Sequence, residues 1–121
     1  MEKGNQIVDL TFDFAGKTIA IAQLLEDKKR FAHANQLFKS GTSIGANVRE
    51  AQGAESRADF LHKMKIAYKE AEETEYWLLL IAHYKDLKID NEVLNSLTSI
   101  KRVLGKIITT TAEKIKQQKN K

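Results

Sequence analysis

The sequence predicts an all-α protein, an up-down-up-down antiparallel four-helix bundle, from three observations. Proline is absent from all 121 residues, so the strongest helix breaker is missing from every segment. In the second half of the chain, apolar residues recur at alternating spacings of four and three, the pattern of a seam between packed helices. The segments between such runs are short and polar, and short connections make successive helices antiparallel neighbours. Residues 1–121 are expected to form a single domain, long enough to bury a modest core.

The first helix is expected from about Asn5 to Glu26. Ile7, Leu10, Phe14, Ile21 and Leu25 form one stripe, and Val8, Phe12, Ala15, Ile19 and Ala22 form an adjacent one. Together they make an apolar face wider than one helical neighbour covers. The charged run Glu26-Asp27-Lys28-Lys29-Arg30 marks the turn.

The second helix is expected from Phe31 to Gln52, with its stripe on Ala34, Leu37, Phe38, Gly41, Ile44, Gly45, Val48 and Ala51. Each interior glycine costs about 1 kcal/mol relative to alanine. Gly41 and Gly45 lie one turn apart beside Ser40, Ser43 and Ala46, which fits close approach of another helix backbone. A phosphate-cradling loop is disfavoured, because the lysine and the strand–turn–helix setting of a P-loop are missing. Gly53 closes this helix.

Ser56 is the expected N-cap of the third helix, with Asp59 reaching back to the freed amides. Phe60, Met64, Ala67, Ala71, Thr74, Leu78 and Ile81 form its seam, and the helix is expected to run to about Lys85. Asp90 caps the fourth helix, whose seam is Val93, Leu97, Ile100, Leu104, Ile107 and Thr111.

Composition removes several function classes. There is no cysteine, so disulfides, thiol catalysis and cysteine metal sites are excluded. The longest apolar run, Tyr76 to Ala82, is far shorter than the roughly 20 residues of a membrane-spanning helix. The start Met1-Glu2-Lys3-Gly4 does not resemble a signal peptide, and a cytoplasmic location is expected. A di-iron carboxylate bundle needs two Glu-x-x-His motifs, and only Asp59…His62 approaches one. Neither a nucleophile elbow nor HExxH spacing occurs. Glu70, Glu72, Glu73 and Glu75 lie within about a turn of Lys65 and Lys69, as on a solvated helix face. No enzyme activity, metal or cofactor is expected.

Two groups of residues stand out as candidate sites. Ser43, Asn47 and Glu50 place polar groups beside the Val48 stripe; buried, they would need partners. A structural polar network that fixes helix register is the expected role, with Arg49, Arg57, Lys69, Ser43 or Tyr68 as partners. The second group is charge. The net charge is +4, yet Lys101–Lys121 holds seven Lys or Arg against Glu113 alone. Lys101, Arg102, Lys106, Lys114, Lys116 and Lys119 are the candidate nucleic-acid-binding residues, acting on phosphates with strong salt dependence. A solvated helix face ending in a lysine-rich tail is the competing account. No recognised nucleic-acid-binding motif is present.

The runs S-x-x-S-I-x-x-N-V-x-E-A from Ser40, E-S-x-A-D-F from Glu55 and K-E-A-E-E-T-x-Y-W-L from Lys69 resemble the bacterial four-helix bundle family of 23S ribosomal RNA intervening-sequence proteins. The resemblance places its signature on Ser43, Ile44, Asn47, Glu50, Phe60 and Glu72, as packing determinants without catalytic roles. It implies a homopentameric ring. It also implies kinship to accessory proteins of diversity-generating retroelements, hence RNA or DNA and a reverse transcriptase as partners. Many members read N-I-A-E-G where this chain has Asn47-Val48-Arg49-Glu50-Ala51. The expectation is therefore a non-enzymatic oligomeric bundle binding RNA or DNA through basic helix surfaces, with a protein-binding scaffold lacking nucleic-acid contact as the alternative.

Overall fold

The computed structural model describes residues 5–120; the Met1–Gly4 start and Lys121 of the basic tail lie outside the described residues. Four α-helices and no strand occur among them: α1 (Gln6–Asp27), α2 (Phe31–Ala51), α3 (Arg57–Ile81) and α4 (Asn91–Lys119). The expected caps of the last two form. Ser56 Oγ accepts from the Asp59 amide at 3.0 Å, and Asp90 Oδ1 accepts from the Glu92 amide at 3.0 Å. Asp59 Oδ2 reaches back to the Glu55 amide at 3.3 Å. Each contact satisfies a donor that a helix start leaves open.

The four helices form a bundle in which each packs on the next and α1 also packs on α4. Phe14, Leu25, Leu37, Ile44, Met64, Leu78, Ile81, Leu97, Ile100 and Leu104 are fully buried at its centre. Full burial of a large aliphatic or aromatic side chain contributes about 1.5–3 kcal/mol. In α3 all of the expected seam is buried except Phe60, which is half-buried. In α4 the buried seam ends at Leu104, and Ile107 and Thr111 are half-buried.

The glycines of α2 mark where α1 comes closest. A Cβ on Gly41 would lie 2.6 Å from Thr18 Oγ1, and one on Gly45 would lie 3.3 Å from the Thr11 carbonyl oxygen. Both threonines are buried. Their hydroxyls are satisfied within α1, Thr11 donating to the Ile7 carbonyl at 2.8 Å and Thr18 to the Phe14 carbonyl at 3.0 Å.

Three sequence expectations require correction. First, Phe38 of the expected α2 stripe is exposed, being turned about 100° around the helix from the buried Leu37; α1 behaves as its width implies, with Val8 and Ala22 buried and Phe12 and Ile19 left uncovered. Second, α3 stops at Ile81 rather than near Lys85. There the amides of His83 and Tyr84 bond to the carbonyls of Leu80 and Ile81, three residues back, which tightens the turn and directs Tyr84 toward α2. Tyr84 Oη lies 2.7 Å from His33 Nδ1, and the Arg30 guanidinium stacks 3.9 Å from the Tyr84 ring centroid. Arg30 also pairs with Asp86 at 2.7 Å.

Third, Glu50 is exposed and pairs with Lys63 at 3.2 Å, a partner outside those expected. The rotation of α2 buries Val48 and Ala51 but turns Glu50 to the solvent side, so its carboxylate needs no buried partner. Asn47 is half-buried and donates to the Ser43 carbonyl at 2.8 Å, while Ser43 Oγ donates to the Lys39 carbonyl at 2.6 Å. The buried polar contact between α2 and α3 is formed instead by Ser40 Oγ and Thr74 Oγ1, 3.0 Å apart.

Candidate nucleic-acid interface

The apolar seam of α4 decides where its cations go. With Val93, Leu97, Ile100 and Leu104 turned inward, 3.6 residues per turn place Arg102, Lys106 and Lys116 on the side away from the core. Lys119 falls on the flank that faces α3, and Lys114 on the opposite flank. These five are exposed, and none has an ion pair among the described residues. Lys101 differs. It is half-buried and bound to Glu75 of α3 at 3.3 Å, with Nζ 5.8 Å from the Tyr68 ring centroid. The six candidate cations therefore do not share one face, and Lys101 is already neutralised.

Beside Lys101 the α3–α4 junction opens into a groove of about 400 Å³ lined by Lys65, Tyr68, Lys69, Gly105, Ile108 and Thr109. Lys65 and Lys69 are exposed and have no ion pair among the described residues. The sequence alone puts these two lysines in charge pairs with the acidic run and offers Tyr68 as a partner for the Asn47 region. The fold brings all three to the basic helix instead. Gly105, the one glycine of α4, was the available sequence signal.

The acidic run stays on α3. Burial, followed by the neighbouring Glu73 charge, raises the Glu70 carboxyl above its usual range. Glu73 accepts from Trp77 Nε1 at 3.3 Å. Among the described residues no three or more histidine, aspartate and glutamate side chains gather as a metal site would require. No described helix is long and apolar enough to cross a membrane.

A family model described as 23S rRNA-intervening sequence protein matches residues 3–110. The chain belongs to this family. It is also similar to a solved structure from Bacteroides thetaiotaomicron VPI-5482, a protein with unknown function from the S23 ribosomal protein family. The two share 41% identity with a TM-score of 0.80, over 84% of this chain and 97% of that one. A search of curated proteins gave no match. The family match ends at Thr110, so Arg102 and Lys106 lie within it and Lys114, Lys116 and Lys119 lie beyond it.

Proposed function

We propose that this protein is a non-enzymatic, homo-oligomeric bundle that binds RNA or DNA by charge through α4 and the adjoining edge of α3. The observation that carries this reading is the set of exposed cations Arg102, Lys106, Lys114, Lys116 and Lys119, without ion pairs among the described residues, with Lys65 and Lys69 across the groove. Unpaired lysines and arginines along one helix attract a polyanion without reading its sequence. Lys101 stands apart from this set because Glu75 already holds its ammonium at 3.3 Å.

The cross-helix contacts support an up-down-up-down antiparallel course. Asn5 meets Gln52 and Thr18 meets Gly41; Lys63 meets Glu50 and Thr74 meets Ser40. The expected ring of five is supported by an uncovered apolar strip along α1 and α2, where Phe12, Ile19 and Phe38 are 60%, 46% and 48% exposed. Gly16 on α1 has no atom within 4 Å of where its Cβ would be, which leaves room for a second helix backbone. Large exposed apolar patches mark interaction surfaces.

The same strip favours the second reading, a scaffold or accessory subunit that binds another protein, such as a reverse transcriptase, without touching nucleic acid. Titration of labelled structured RNA and duplex DNA at increasing salt separates the two. The nucleic-acid reading expects binding at low salt that weakens steeply as salt rises; the scaffold reading expects none.

A further inference from the structure

The α3–α4 groove has three features that a charged helix face alone does not explain. The first is Gly105. An interior glycine weakens a helix relative to alanine, and at Gly41 the nearby Thr18 accounts for its use. At Gly105 nothing does: an added Cβ would meet only Tyr68 Cε2, at an ordinary 3.9 Å. Bare backbone is therefore left facing the groove where the chain itself would accept a side chain. Close approach of a ligand is one of the uses of such a glycine.

The second feature is Tyr68. Its ring is half-buried beside Gly105 and is flanked by Lys101, itself held by Glu75. Its hydroxyl has no hydrogen-bond partner among the described residues. The third feature is the sign of the rim: Lys65 and Lys69 stand on it without ion pairs among the described residues. Glu70 lies within coulombic range of Lys69 and Glu72 follows one turn beyond Tyr68 on α3, so the basic rim is short and suits a short anionic element.

We propose that this groove holds an unstacked base of a single-stranded nucleic acid, with the base against Tyr68 over Gly105 and its phosphates at Lys65 and Lys69. The proposal rests on the nucleic-acid reading above and narrows it to single strands. A planar base uses both the ring and the bare backbone, and its phosphates use the lysines. An acidic peptide would use only the lysines. In a duplex the base faces are stacked away, whereas single strands offer them to aromatic side chains.

The test is fluorescence anisotropy of the full chain with a labelled single-stranded oligonucleotide, an abasic strand of equal length, and a duplex. The intact strand is expected to bind more tightly than both others. Tyr68→Leu and Gly105→Leu are each expected to weaken the intact strand by about fivefold or more, leave the abasic strand unchanged, and leave the salt slope unchanged. Tyr68→Phe is expected to retain binding. Leucine favours a helix over glycine, so Gly105→Leu remains a test should Tyr68→Leu fail to fold. Equal affinity for intact and abasic strands overturns the proposal. So does indifference to both leucine variants while an Arg102→Glu/Lys106→Glu double variant still weakens binding; that result leaves the charge-driven reading standing. No binding of any oligonucleotide by the unmodified protein overturns both.

Discussion

Thr18 occupies the space that a side chain at Gly41 would need: a Cβ there would fall 2.6 Å from Thr18 Oγ1 and 2.9 Å from Thr18 Cβ. The threonine branch on α1 and the missing side chain on α2 together set how closely these helices pack. Because Thr18 is buried and its hydroxyl is bonded to the Phe14 carbonyl, it has little freedom to yield. Gly41→Ala is expected to lower stability by about 1–3 kcal/mol, as overpacking does, despite the helix preference of alanine. A Thr18→Ala/Gly41→Ala double variant recovers only part, since the Thr18 Cβ itself is close. Urea unfolding of the single and double variants checks this.

The Ser40–Thr74 contact gives a second prediction. Both side chains are buried, and their oxygens lie 3.0 Å apart between α2 and α3. Thr74 Oγ1 also lies 2.7 Å from the Glu70 carbonyl oxygen. Thr74→Val removes the hydroxyl at nearly constant shape and leaves Ser40 with only its long 3.5 Å contact to the Leu37 carbonyl. A loss of about 1–2 kcal/mol is expected. Adding Ser40→Ala is expected to cost less in this background than in the unmodified protein. A double-mutant cycle measures that coupling.

Among the described residues, Lys29 takes a left-handed backbone conformation, at φ 62°. It sits in the α1–α2 turn, where the Arg30 amide donates to the Leu25 carbonyl at 2.9 Å. Glycine takes this conformation without the Cβ penalty. Lys29→Gly is therefore expected to raise the midpoint of thermal unfolding, with a gain of about 0.5–1 kcal/mol.

Two carboxyls give pH predictions of opposite sign. The hydrogen bond from Arg30 holds the Asp86 carboxyl below its ordinary value of 3.8. Its stabilising contribution is present above that value and is lost as pH falls through the lowered one. Burial raises Glu70 above its ordinary 4.5, so the folded state holds this proton more tightly, and ionisation opposes folding as pH rises through that range. Asp86→Asn is expected to flatten the acid loss of stability below about pH 4. Glu70→Gln is expected to stabilise the protein at neutral pH, with the advantage vanishing under acid. Urea midpoints from pH 2 to 7 check both.

Much of the fold was legible because it depends on local chemistry. Ser56 and Asp90 announced two helix starts by residue type, and the seams of α3 and α4 followed apolar spacing. Gly41 and Gly45 pointed to a close helix neighbour, but not to Thr11 and Thr18, because an apolar pattern passes over buried threonines that bond to their own helix. Glu50 lies next to a core position in sequence, and only the rotation of α2 shows that its carboxylate faces solvent. The early end of α3 depends on Tyr84 meeting Arg30 and His33, contacts between residues far apart in the chain. On the candidate interface, residue type gave the α4 cations. It did not give the pairing of Lys101 with Glu75 or the meeting of Lys65, Tyr68 and Gly105, which are properties of helix register.

The central claim is that α4 binds nucleic acid through its exposed cations. Its most direct test is the salt dependence of RNA affinity for the unmodified protein and for the Arg102→Glu/Lys106→Glu variant, with folding verified by circular dichroism. The account predicts a linear fall of log affinity with log salt, about 0.7–0.9 per phosphate contacted, and both weaker binding and a shallower slope for the variant. No affinity at low salt, or identical slopes and affinities for the two proteins, would contradict it.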